Sequence, residues 1–166
     1  MFRIALAFFA LAISGQAPAA LFAAEGEDIR AEIRAAGLEG RRLAVVFDLP
    51  DCATCLKMKR EVFADRRVET DFGRLYRTVR IDLSSASPVT DARGEARTPQ
   101  EFARELGLFA TPSFAFFDAD GSLEYRHTGG LNDPSDLLRL GQFVAGAIYE
   151  EQPFSDYLPS FIEHSH

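Results

Sequence analysis

The sequence predicts an α/β protein with a central mixed sheet and helices on both faces. Two patterns carry that prediction. Helix-like and strand-like segments alternate over residues 25–83, which requires parallel strands joined by crossovers. Two later strand-like runs are separated only by a turn at residues 118–121, which adds antiparallel strands to the same sheet. A third observation locates the chemistry: the two cysteines of the chain, Cys52 and Cys55, fall where the first of these strands ends and a helix begins.

The first 24 residues read as a secretory signal peptide. Arg3 precedes the apolar run "IALAFFALAI" and then the turn-prone "SGQAPAA". The best cleavage site is Ala17-Pro18-Ala19, with Ala23 or Ala24 as later choices. Gly15, Gln16 and Pro18 interrupt the stretch and argue against a membrane anchor, and no cysteine lies where a lipoprotein would need one. The expected location is therefore the periplasm, with one domain over residues 25–150 and a tail over residues 151–166. The chain carries a net charge of −7 and lacks a basic patch with interleaved aromatics, so nucleic acid is not expected as a partner. A hydrophobic content of 47% suits one domain with its own core.

Each element has a local reason. "EGEDIRAEIRAAGLEG" places Ile29, Ile33 and Leu38 at near-helical spacing and stops at Gly40. "RRLAVVFDL" is short and apolar throughout, as a strand buried on both faces should be. From Ala53 to about Phe63, Leu56, Met58 and Val62 make an apolar stripe among charges. A short helix over residues 65–75 and the strand "YRTVRIDL" follow. Residues 84–97 are polar and without period, which predicts a surface loop. In "TPQEFAREL", Thr98 is the N-cap, Pro99 the first helical residue and Glu101 the partner in a capping box. "TPSFAFFDADGSLEYRHTGG" predicts the hairpin. The closing helix is capped by Asn132 or Asp133 and buries Leu137, Leu138, Leu140, Phe143, Val144 and Ile148. The tail is expected to lie on the surface, with Phe154, Tyr157 and Phe161 covering the core edge or docking a partner.

Three uses of the cysteine pair compete. As a staple it closes only a four-residue loop, worth roughly 2 kcal/mol against about 3 for fifteen residues. A metal site needs three or four ligands. The other candidates are Met58, His127 on the hairpin, and His164 and His166 in the tail. As a redox pair the cysteines gain from position, because a helix N-terminus stabilises thiolate over thiol. Cys52 lies at that end and Cys55 one turn in, so Cys52 is the attacking thiol and Cys55 the shielded one. Asp51 opposes the thiolate, Lys57 and Lys59 favour it from following turns, and a modest depression of the Cys52 pKa is the net expectation. Thr111-Pro112 opens the strand "SFAFF"; this is either a strand-start proline or a cis bond that turns the Thr111 backbone towards the cysteines.

A strand, then "CATC" on a helix, then "ATPSFAFFDADG" and "TGG" before a final helix resembles the thioredoxin family over roughly residues 43–148. The runs "LKMKREVFAD", "FARELGLFATPSFAFFDADG" and "PFSDYL" are similar to exported thioredoxin-like proteins of the SoxW type found with bacterial sulfur oxidation. The resemblance implies a thioredoxin-like fold and a thiol–disulfide oxidoreductase without cofactor or metal. It implies Cys52 as nucleophile, Cys55 as resolving thiol, Pro112 as the cis-proline and Thr111 as the residue touching substrate backbone. Two departures stand out. Asp51 and the pair Ala53-Thr54 replace the tryptophan and Gly-Pro of cytosolic thioredoxin, and Val46 replaces its buried aspartate. Proton handling then falls to water or to Asp48, which is expected to point elsewhere or to sit near the rim.

The resemblance also bears on direction. Exported oxidases of the superfamily carry a large helical insertion and exported isomerases an N-terminal dimerisation domain, and neither is expected in this chain. That favours a monomeric reductase of protein disulfides. Its implied donor is a membrane thiol transporter of the DsbD or CcdA kind, and its clients sulfur-oxidation or cytochrome-maturation proteins. The rivals are a disulfide oxidase or isomerase, and a redox-silent module for peptide docking or chaperoning.

Overall fold

The computed structural model describes residues 21–160. The expected leader lies outside the described residues as far as residue 20, as do Phe161, His164 and His166. Among the described residues no helix is long and apolar enough to cross a membrane.

The fold is a mixed sheet of five strands between two helical layers. Its order is β1 (Phe22–Glu25), β3 (Tyr76–Asp82), β2 (Arg42–Asp48), β6 (Ser113–Phe117) and β7 (Leu123–Thr128). β1 and β2 run parallel to β3, whereas β6 is antiparallel to both β2 and β7. The central strand β2 is buried on both sides from Leu43 to Phe47, as its unbroken apolar run predicts.

Alternation along the strands divides the core. Leu43, Val45, Phe47, Val79, Ile81, Ala115 and Phe117 face α1 (Ile29–Leu38) and α4 (Pro99–Glu105). Ala44, Val46, Tyr76, Phe114 and Phe116 face α2 (Ala53–Glu61), α5 (Pro134–Ala145) and α6 (Phe154–Ser160). Between α2 and β3 the chain makes a π-helical turn, Val68–Phe72, and the short α3 (Gly73–Leu75). That turn packs Phe72 against α5, and the buried Tyr76 hydroxyl donates to the Gly141 carbonyl at 2.8 Å.

The Gly40 stop, the Thr98–Glu101 box and the Asp133 cap are those the sequence predicts, and Asp28 adds an N-cap to α1. Asp28 accepts from the Ala31 N–H at 2.8 Å, Gly40 takes φ +68 after α1, Thr98 and Glu101 form the capping box, and Asp133 caps α5.

Three expectations need correction or extension. The sheet starts at Phe22, so residues 22–24, read as the end of the leader, belong to an edge strand in the described structure. Residues 84–97 are not only a loop: β4 (Val89–Thr90) pairs with β5 (Ala96–Arg97). The Asp91 carboxylate folds that hairpin by accepting the Arg93 and Glu95 N–H groups at 2.8 and 2.9 Å. The tail forms α6, whose Phe154 and Tyr157 are buried against Phe143 and cover the core edge.

Candidate active site

The site forms where three segments meet at one end of the sheet. The first leaves β2 through the turn at residues 49–51, in which the Cys52 N–H donates to the Leu49 carbonyl at 3.3 Å. Cys52 is then the N-cap of α2 in extended conformation, and its Sγ accepts the Cys55 N–H at 3.2 Å. A sulfur thus stands where serine or aspartate usually satisfies a helix terminus. Cys52 and Cys55 are joined as a disulfide with Cα atoms 5.2 Å apart. Cys55 is 4% exposed and Cys52 more accessible, so the two sulfurs differ in access as one helical turn requires.

The second segment is the loop into β6. The Thr111–Pro112 bond is cis, and the Thr111 carbonyl oxygen lies 3.7 Å from Cys52 Sγ. The buried Ser113 hydroxyl holds this loop by donating to the Ala110 carbonyl at 2.6 Å. On its outer side Phe109 is largely exposed.

The third segment follows β7. Gly129 N–H donates to the Pro112 carbonyl at 2.9 Å, and Leu131 N–H donates to the Met58 sulfur at 3.4 Å. Between them Gly130 lies against Thr54, Met58 and Pro112, so closely that a Cβ there would come under 3.0 Å of the Thr54 methyl. Lys57 Nζ donates to Asn132 Oδ1 at 3.5 Å across the same seam.

Of the residues singled out from sequence, the structure brings together Cys52, Cys55, Thr111 and Pro112. Asp51 is exposed immediately before Cys52. Asp48 is not free at a rim. It lies on the same sheet face as Val46, and both of its oxygens accept from Arg80 Nε at 2.9 and 2.7 Å. It lines a small cavity of about 130 Å³ with Glu25, Lys59 and Phe63. Val46 is fully enclosed in the apolar core. His127 sits between Phe114 and Phe154, and burial pushes its imidazole below the usual histidine range. Among the described residues no group of three histidine, cysteine or acidic side chains is placed to hold a metal ion. Gly129 and Gly130, quoted from sequence only as the TGG mark of the resemblance, belong to the site, and Leu131 beside them was missed.

Chemically, the arrangement presents one accessible sulfur, held by a helix-terminal N–H, beside an open backbone carbonyl. Comparison with known proteins bears on its origin. The family model described as a thioredoxin-like domain matches residues 29–145. No curated protein matches the sequence. Among solved structures, a thioredoxin from Thermus thermophilus is 20% identical with a TM-score of 0.59, covering 87% of this chain and 97% of that one. A putative disulphide-isomerase from Bacteroides thetaiotaomicron is 22% identical with a TM-score of 0.59, covering 80% and 94%. A thioredoxin-fold protein from Helicobacter pylori is 15% identical with a TM-score of 0.58, covering 87% and 91%. At these identities the likeness is one of fold.

Proposed function

The chain belongs to the thioredoxin-like domain family, and from that premise we propose that it is a thiol–disulfide oxidoreductase that reduces protein disulfides through Cys52 and Cys55. The observation that carries this is the cysteine pair at the start of α2, with Cys52 accessible, Cys55 shielded and the Thr111 carbonyl 3.7 Å from Cys52 Sγ. In the reduced protein the Cys55 N–H and the helix terminus favour a Cys52 thiolate. That thiolate attacks one sulfur of the client disulfide, whose S–S bond breaks and releases the other sulfur as a thiolate that takes a proton. Cys55, deprotonated, then attacks Cys52 Sγ, the mixed disulfide breaks, and the client leaves as a dithiol. Two electrons pass to the client, and the protein is left with the intrachain Cys52–Cys55 disulfide. Thr111 and the cis-Pro112 offer backbone to the client chain, as an edge that an extended segment can pair with.

The reductive direction rests on architecture: between β3 and β6 the chain holds only the hairpin β4–β5 and the seven-residue α4. Asp48, held by Arg80, and the exposed Asp51 modulate the pair rather than take part in bond exchange. The protein works in the periplasm after loss of its leader. Cleavage after Ala19 leaves β1 whole, whereas cleavage after Ala23 or Ala24 would cut it. Electrons come from a membrane thiol transporter of the DsbD or CcdA kind and go to sulfur-oxidation or cytochrome-maturation clients, in line with the SoxW-type runs of the sequence.

A trapping experiment tests the assignment. The reduced Cys55→Ser protein should hold a disulfide-bonded substrate such as insulin as a covalent adduct that dithiothreitol releases, and Cys52→Ser should hold none. Adducts through Cys55 alone would reverse the two roles, and adducts from neither variant would remove them.

A further inference from the structure

A groove of about 500 Å³ lies along the outer edge of the sheet, between β7 and α6. Gly130 lines this groove and also packs against Thr54 and Pro112, so the groove adjoins the active site. One wall is appended to the family domain, because the match ends at residue 145 and α6 begins at Phe154. Volume and mixed lining are those of a ligand site. Tyr125, Leu131, Phe154 and Leu158 supply apolar surface, while Thr128, Asn132 and Ser155 supply neutral hydrogen-bonding groups. The charge in the lining is one carboxylate, Asp136, which accepts from Arg139 at 3.2 Å. The remaining titratable groups on the β7 side are Tyr125 and His127, and His127 is packed between two phenylalanine rings.

We propose that this groove is a client subsite, which takes an apolar side chain close to the reacting cysteine of a disulfide-bearing protein. The proposal rests on the oxidoreductase reading for the meaning of "client", but the groove itself is defined without it. An anionic thiol such as glutathione is a poor occupant, since the lining offers a carboxylate and no lysine or arginine. A polypeptide suits it better. An extended chain paired at Thr111 advances about 3.3 Å per residue and passes Gly130 into the groove within a few residues.

The test uses the reduced full-length mature protein and three probes: glutathione disulfide, and two disulfide-linked peptides whose cysteine is flanked by Leu-Phe or by Gly-Ser. The Leu-Phe peptide should be cleaved with kcat/KM about tenfold above the Gly-Ser peptide, the scale at which an apolar pocket discriminates. Leu158→Lys on the groove wall, and Ser155→Trp, which fills it from an exposed position, should erase that preference. Both should leave the rate with glutathione disulfide and the reduction potential unchanged.

Equal rates for the two peptides, or variant losses that extend to glutathione disulfide, would overturn the proposal. So would a dimer formed through this face and abolished by Ser155→Trp. A second measurement separates failure of the groove from failure of the chemistry. The Leu-Phe peptide with serine in place of cysteine should shift the His127 ring signals of the oxidised protein in NMR spectra. Those shifts without cleavage of any probe would retain the groove and remove the oxidoreductase; absence of the shifts would remove the groove.

Discussion

Replacing Gly130 by alanine tests how the loop after β7 fixes the redox helix. The added methyl would meet Met58 Sδ and Pro112 Cγ at 3.8 Å, which is ordinary contact. It would come under 3.0 Å of Thr54 Cγ2, inside the 3.4 Å at which ordinary contact begins. The whole conflict therefore lies with one methyl group of one side chain. Forced contacts of this kind cost about 1–3 kcal/mol, and the exposure of Thr54 places this one near about 1 kcal/mol. That lowers Tm by about 3 °C in a domain of this size.

The functional loss should exceed the loss of stability. Relief of the contact moves the first turn of α2 relative to Thr111, and misplacement by about 1 Å can cost on the order of 100-fold in rate. Thr54→Ser removes the offending methyl and keeps the hydroxyl. Gly130→Ala combined with Thr54→Ser should recover Tm and insulin-reduction rate, with a coupling of about 1 kcal/mol between the positions. Thermal unfolding by circular dichroism and the turbidity assay of insulin reduction measure both quantities. A Gly130→Ala protein with unchanged Tm and rate, or a double variant that merely adds the two losses, would refute the packing described.

Other parts of the fold make separate predictions. Tyr76→Phe removes the buried hydroxyl that donates to Gly141 at 2.8 Å, so the denaturation midpoint should fall by the equivalent of about 1 kcal/mol, while insulin reduction is unchanged. Asp91→Ala strips two backbone N–H groups of their acceptor, while Arg97, 3.8 Å away, keeps its ion pair with Glu105 at 2.9 Å. The cost should be about 2 kcal/mol, and loss of hydrogen-exchange protection should be concentrated in residues 89–97. Burial depresses the His127 pKa, so the unfolded chain gains a proton near pH 6.5 that the folded protein refuses. Stability from this source is therefore complete above about pH 6.5 and falls as pH drops towards the folded value, by at most about 1.4 kcal/mol per pH unit. His127→Gln should flatten that slope between pH 6.5 and 5, and an unchanged slope would contradict the assignment.

Much of this site was legible in the sequence because its parts are local. The strand before the cysteines, the helix after them, and the proline that opens β6 each announce themselves within a few residues. The rest depends on partners distant in the chain. "FAAE" becomes a strand only because β3 offers a parallel edge, and its alanines and its place after an apolar run hide it. Strands of two residues, such as β4 and β5, have no period to detect; the Asp91 turn makes them. A short segment ending in Pro159-Ser160 carries little helical signal, and Phe154 and Tyr157 draw it onto α5. Asp48 was visible as a residue, but its environment was set by a register that brings Arg80 of β3 beside it. Gly130 owes its identity to Thr54, on the far side of the sequence.

The most direct measurement is the equilibrium reduction potential of the Cys52–Cys55 pair in the mature protein, titrated against dithiothreitol and glutathione. A reductase of protein disulfides predicts a value near −270 mV, about that of thioredoxin. A value near about −120 mV would make the protein an oxidant and contradict electron flow from Cys52 and Cys55 to the client.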